Sequence, residues 1–213
     1  MRSGSLSGAV FAALLVGAES LAPAQAETLP APRASYTAEQ TITAQGQTLR
    51  QTIYHDRGKE RREIEFEGER STVLLRPDRA CAYTIADGPT TQMTDLDEAG
   101  PVPMLATLQR FNAAPEAQET LHGEPVTRYA IRGPGADGEP VEGRVWVTPD
   151  GILMKSEMLL TSEEAPAPVI VELEKLERKA LPPSLFDPPA DRPVADMRGE
   201  TERTRPMSGG EAR

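Results

Sequence analysis

The 213-residue sequence holds one cysteine, Cys81, so no internal disulfide can form in any compartment. Its setting, Ala80-Cys81-Ala82-Tyr83, reads as a small hydrophobe on a strand, with nothing basic placed to hold a thiolate. Histidine is nearly as scarce. Neither His55 nor His122 has a second histidine three or four residues away, so no metal and no cofactor is expected, and each reads as structural. Aromatic residues amount to four Phe, four Tyr and one Trp, which leaves any apolar space to aliphatic and Met side chains. Basic residues are outnumbered, 23 Lys and Arg against 33 Asp and Glu. The net charge of −10 repels nucleic acid phosphates, so no nucleic acid partner is expected. Beyond residue 26 there is no Gly-x-Ser-x-Gly elbow, and Gly133-Pro134-Gly135 is followed by neither a Lys nor a helix signal. Carboxylate pairs such as Glu163-Glu164 fall on turns and wet faces. With no acid, base and nucleophile set, the chain is not expected to be an enzyme.

Long hydrophobic runs are missing as well. The stretch Val10 to Val16 is shorter than the ~18 residues of a spanning helix. It follows Arg2 and precedes Ala24-Gln25-Ala26, the layout of a secretory signal peptide over 1–26 that is cleaved to release a periplasmic protein. No cysteine stands directly after that site, so no lipid anchor is expected. Residues 27–33, with two prolines, read as a disordered leader. Residues 34–189 read as one domain, and 190–213, charged and poor in apolar groups, as a disordered tail.

What the chain does have is period two. In Val141 to Leu160, Val141, Val145 and Val147 alternate with polar residues, Pro149-Asp150-Gly151 turns the chain, and Ile152, Met154 and Met158 resume the alternation. Trp146 sits on the opposite parity, so this hairpin is covered on both faces. Similar patterns predict strands over 36–42, 48–56, 61–67, 71–76, 81–86, 90–94, 119–121, 126–132 and 169–176. Turn signals every eight to twelve residues favour an antiparallel meander. One helix is predicted over Pro101 to Ala113, where Met104, Leu105, Leu108 and Phe111 fall at helical spacing. The fold class is therefore mainly β (α+β). Ten or so strands in one sheet must curl, and the economical form is an incomplete half-barrel with the helix as a lid on its apolar face.

Tyr36 to Arg79, which includes HDRGKERREIEF and VLLRPDRA, resembles the opening of periplasmic lipoprotein-carrier (LolA-like) proteins. VWVTPDGILMKSEM resembles their late hairpin, and LPPSLFDPP their closing segment. The resemblance implies a half-barrel with a helical lid, and a cavity that receives lipoprotein acyl chains. It also implies an arginine latch on the lid, matched loosely to Arg61 or Arg62, for which cross-strand pairing with Glu60, Glu63 and Glu65 is the plainer account.

By parity, Ile53, Ile64, Phe66, Leu75, Val145, Val147, Met154 and Val171 would line the cavity, with Met104, Leu105 and Leu108 from the lid. The reading is a monomeric binder of lipid or lipoprotein acyl chains. Its rival is a module of the same fold, packed solid, that binds an envelope protein through a strand edge or the acidic tail.

Overall fold

The computed structural model describes residues 28–96, 108, 111–134, 140–160 and 167–199. They form one long, open, curved sheet of twelve strands. In chain order these are β1 (Tyr36–Ala44), β2 (Gln47–Asp56), β3 (Lys59–Phe66), β4 (Glu69–Arg76), β5 (Cys81–Ile85), β6 (Thr91–Asp95), β7 (Asn112–Leu121), β8 (Glu124–Pro134), β9 (Pro140–Val147), β10 (Leu153–Leu160), β11 (Ala167–Arg178) and β12 (Val194–Asp196).

Four hairpins close on two-residue turns in which both residues have positive φ: Gln45-Gly46, Arg57-Gly58, Glu67-Gly68 and His122-Gly123. Such turns match the right-handed twist of the flanking strands, which is why an X-Gly pair recurs between alternating segments. His122 is thus a turn residue, and its Nε2 lies 2.7 Å from Oε1 of Glu172.

The spatial order is β12-β6-β5-β4-β3-β2-β1-β11-β10-β9-β8-β7. One meander runs outward from β1 to β6, a second runs inward from β7 to β11, and they join where β11 pairs with β1. β6 therefore ends on one flank and β7 begins on the other. Ten strand spacings of ~4.8 Å would separate them by about 48 Å in a flat sheet. The 17 residue steps from Asp95 to Asn112 reach about 58 Å only when fully extended. Across a flat sheet that connection would be stretched close to its limit, and the curvature of the sheet relieves this.

Four expectations need amendment. β7 starts at Asn112, where helix was expected to Ala113 and strand only from 119; Pro115 fits because β7 is an edge strand, with a bulge between Pro115 and Ala117. The leader is not loose: Leu29 is buried in the core, and the Arg33 N–H donates to the Asp150 carbonyl at 2.9 Å. The tail does not begin at 190, since β12 pairs with β6. Nor is the sheet wholly antiparallel, because that last pair is parallel. The signal peptide lies outside the described residues, as does the lid apart from Leu108 and Phe111.

Candidate functional site

Cross-strand partners share a face, so the register shows which side chains stand together. Val145 lies opposite Tyr129 on one side and Ser156 on the other; Ser156 lies opposite Val171, and Val171 opposite Ile42. Across β2 to β4 the same face carries Ile53 beside Arg62, Ile64 beside Gln51, and Leu75 beside Glu60. Met154, at the irregularity between Leu153 and Lys155, packs in one core cluster with Tyr36, Ala38, Ile53 and Leu173 of that face. Seven of the eight strand residues named from parity therefore share one side of the sheet, and Met154, at the irregularity, clusters with residues of both faces, Trp146 and Val126 included.

Their exposures differ. Ile53, Leu75, Val145, Val147, Met154 and Val171 are buried, Ile64 is half-buried, and Phe66, near the β3–β4 turn, is 54% exposed. Over β8 to β10 the face is covered by Leu29, Leu108 and Phe111, which cluster with Ile131, Val145, Val147 and Met158. None of these three covering residues lies in a strand. Met104 and Leu105 lie outside the described residues.

The face is not uniformly apolar. Gln40 and Gln51, both buried, stand opposite each other and hydrogen-bond through their amides. Arg62, 6% exposed, donates from Nε at 3.0 Å and Nη2 at 2.8 Å to Oε2 of Glu60. His55 stacks on Tyr36 with ring centroids 5.0 Å apart. Burial pushes the His55 imidazolium below its ordinary pKa, with the Glu60 carboxylate acting the other way. Burial likewise raises the Tyr36 phenol far above its ordinary value, with Glu60 adding to the effect.

The opposite face is wet and charged over β1 to β3, and at β4 it is covered, with Leu74 buried. There Arg61 donates to Glu63 at 2.8 Å and to the Leu185 carbonyl at 3.3 Å. Of the two latch candidates, Arg61 thus reaches the closing segment, and Arg62 is taken by its neighbour Glu60.

Sequence reasoning missed a stronger carbonyl-binding arginine. Arg76, buried, donates to both oxygens of Asp78 (2.9 and 2.8 Å), to the Phe186 carbonyl (2.8 Å) and to Oδ1 of Asp187 (2.6 Å). These bonds hold the 3-10 turn Pro183–Phe186, whose Phe186 is fully buried, over β3 and β4. The Arg76-Pro77-Asp78 string gave the turn, but no local pattern points to Asp187.

Trp146, on the wet-side parity, is also covered. Its Nε1 donates to Glu119 at 2.8 Å and Lys155 Nζ lies 5.0 Å from its ring. Two open concavities lie along the sheet. One of about 530 Å³ is lined by Glu39, Gln51, Glu63, Ile64 and Arg70, the other of about 580 Å³ by Ala114, Ile131, Arg144, Met158 and Leu159. Ile64 thus lines the first, whereas Val145, Val147, Met154 and Val171 line neither. Among the described residues no group of three or more His, Cys, Asp or Glu could hold a metal ion.

No family model matches the sequence, and no curated protein matches it. Among solved structures, an uncharacterized conserved protein from Thermus thermophilus is 10% identical, with 76% of this chain and 90% of that chain covered and a TM-score of 0.48. The MucA/MucB complex of Pseudomonas aeruginosa is matched at 17% identity over 76% of this chain and 58% of that chain, TM-score 0.42. The chain therefore spans less than two thirds of the length of that neighbour. A LolA superfamily protein from Nitrosomonas europaea is 10% identical over 75% of this chain and 93% of that chain, TM-score 0.40. The structural neighbours of this chain thus include a protein of the superfamily that its strand and turn motifs resemble.

Proposed function

We propose that this protein is a periplasmic binder of an apolar ligand, with lipid or lipoprotein acyl chains as its cargo, held on the sheet face that carries Val145, Val147, Met154 and Val171. The observation that carries the reading is the nature of the cover. Leu29, Leu108 and Phe111 come from segments between or before strands, so they can move without breaking a ladder hydrogen bond. A chain of twelve methylenes gains about 0.8 kcal/mol for each one buried, about 10 kcal/mol in all before ordering costs. Replacing three covering side chains with such a chain exchanges one set of apolar contacts for another. Binding and closure therefore compete for the same wall. Native mass spectrometry of protein purified from its own envelope tests this: a noncovalent apolar adduct is expected, and an apoprotein free of lipid overturns it.

A second reading treats the sheet as a solid scaffold that binds an envelope protein. It is favoured by the close packing of Val145, Val147 and Met154, which the chain's own side chains already bury. Retention of a protein partner without lipid in the same experiment selects it.

A further inference from the structure

The three side chains that cover the wall are held unequally. Phe111 stands one residue before β7 and is seated on Gly133, where a Cβ would lie 2.6 Å from its ring. The Phe111 N–H donates to the Leu108 carbonyl at 3.0 Å, which ties Leu108 to the start of the edge strand. Leu29 has no such anchor. It is 1% exposed in the same cluster, yet it lies outside any strand and β1 begins only at Tyr36.

The hold on residues 28–33 is slight. Among the described residues one backbone hydrogen bond ties them down, from the Arg33 N–H to the Asp150 carbonyl at 2.9 Å. Pro30 and Pro32 have no N–H to donate. Ala31 crosses the turn between β9 and β10 at Gly151, where the lack of a side chain lets its carbonyl pass. That turn is itself fixed, because Arg178 donates to Asp150 at 2.7 and 3.2 Å and to both oxygens of Glu124 at 2.9 Å. Past Arg33 the chain is pinned again: the Lys179 N–H donates to the Ser35 carbonyl at 3.1 Å, and the Ser35 hydroxyl donates to Asp56. Residues 28–33 are therefore able to swing away about Arg33 and Ala34 while β1 keeps its partners.

We infer that residues 28–33 are a regulatory strap: Leu29 occupies the wall as the chain's own apolar ligand, and a hydrocarbon chain binds by evicting it. This rests on the apolar-ligand reading above and assigns the gate to the N-terminal segment rather than to Leu108 and Phe111. It also accounts for why neither open concavity reaches Val145, Val147 or Val171, since the strap lies over that wall. A site closed by its own chain binds with an affinity lowered in proportion to the fraction that is open, and ligand and strap weaken each other equally.

Two measurements on the full chain test this. The first is calorimetric titration with dodecanoate of the unaltered protein and of Leu29→Ser. Full burial of a leucine shifts an equilibrium by roughly one to two powers of ten, so Leu29→Ser should bind about tenfold more tightly. The second is the rate of tryptic cleavage after Arg33. Saturating dodecanoate should speed it, whereas a ligand that only stabilised the fold would slow it. Dodecanoate that binds Leu29→Ser no more tightly than the unaltered chain, or that slows cleavage or leaves it unchanged, overturns the strap and leaves the apolar-ligand reading standing. If neither protein binds dodecanoate, both fall. Should Leu29→Ser fail to fold, cleavage of the unaltered chain decides.

Discussion

Gln40 and Gln51, both buried, bond to each other across β1 and β2, and each satisfies a group that water would otherwise have to reach. Replacing one with Leu strands the other and should cost about 1–3 kcal/mol, whereas replacing both should be nearly neutral. A double-mutant cycle by urea unfolding reads that difference. Gly151 poses a steric question instead. Its φ is +86°, and a Cβ there would lie 2.2 Å from the Ala31 carbonyl oxygen. Gly151→Ala should therefore release the 28–33 segment, seen as faster proteolysis at its N-terminal end, with a lowered Tm. His55 gives a pH dependence. It is held neutral by burial, below its ordinary value of 6.5, so the unfolded chain takes up the proton first. Stability is then complete above about pH 6.5 and falls as pH drops through the lowered folded value, a slope that His55→Gln should remove. At this scale the sequence was informative about direction. Period two assigns a parity to Ile53, Leu75, Val145 and Val171 whatever lies across from them. It says nothing about how deeply each sits, which is why Phe66 is on the same side yet half in water.

Among elements, the closing segment depends on one side chain far away in sequence. Arg76 binds the Phe186 carbonyl and Asp187 from the end of β4, and from there the chain runs on to lay β12 along β6. Arg76→Met should leave the β1–β5 meander intact while raising amide exchange over 183–199, because the Phe186 carbonyl loses its donor. The same contact has an acid limit. The bidentate Arg76 guanidinium holds the Asp78 carboxyl down to about 2, below its ordinary 3.8. Its stabilisation is present above about pH 4 and is lost as pH falls through about 2, weakened throughout because Asp78 is half exposed. The hairpins were legible because X-Gly between alternating runs has a local mechanism. β12 and the β4-to-Asp187 contact were not, since three residues carry too little pattern and a contact across 111 positions carries none. The start of β7 was misread for a related reason: Phe111 belongs to an apolar stripe at helical spacing, but it ends that stripe and the edge strand begins one residue later.

For the molecule as a whole, two meanders meet at β1 and β11 and a 17-step connection joins their outer flanks, a span that the curvature of the sheet shortens. The meander itself was readable from spacing, because short connections restrict consecutive strands to antiparallel neighbours. Which flank β7 would join was not, since both meanders have the same local pattern. The covering role of Leu29 was also hidden, because two prolines and a short polar stretch look like a leader wherever they pack.

The central claim is that one face of this sheet exchanges its own covering side chains for hydrocarbon. Intermolecular NOEs between the methylenes of bound dodecanoate and the methyl groups of the protein test it most directly. The account expects contacts to Val145, Val147, Met154 and Val171, with loss of the Leu29 and Leu108 contacts to that wall. Contacts confined to Leu159 and Ala130 on the opposite side, or a bound chain that leaves the wall methyls unperturbed, would contradict it.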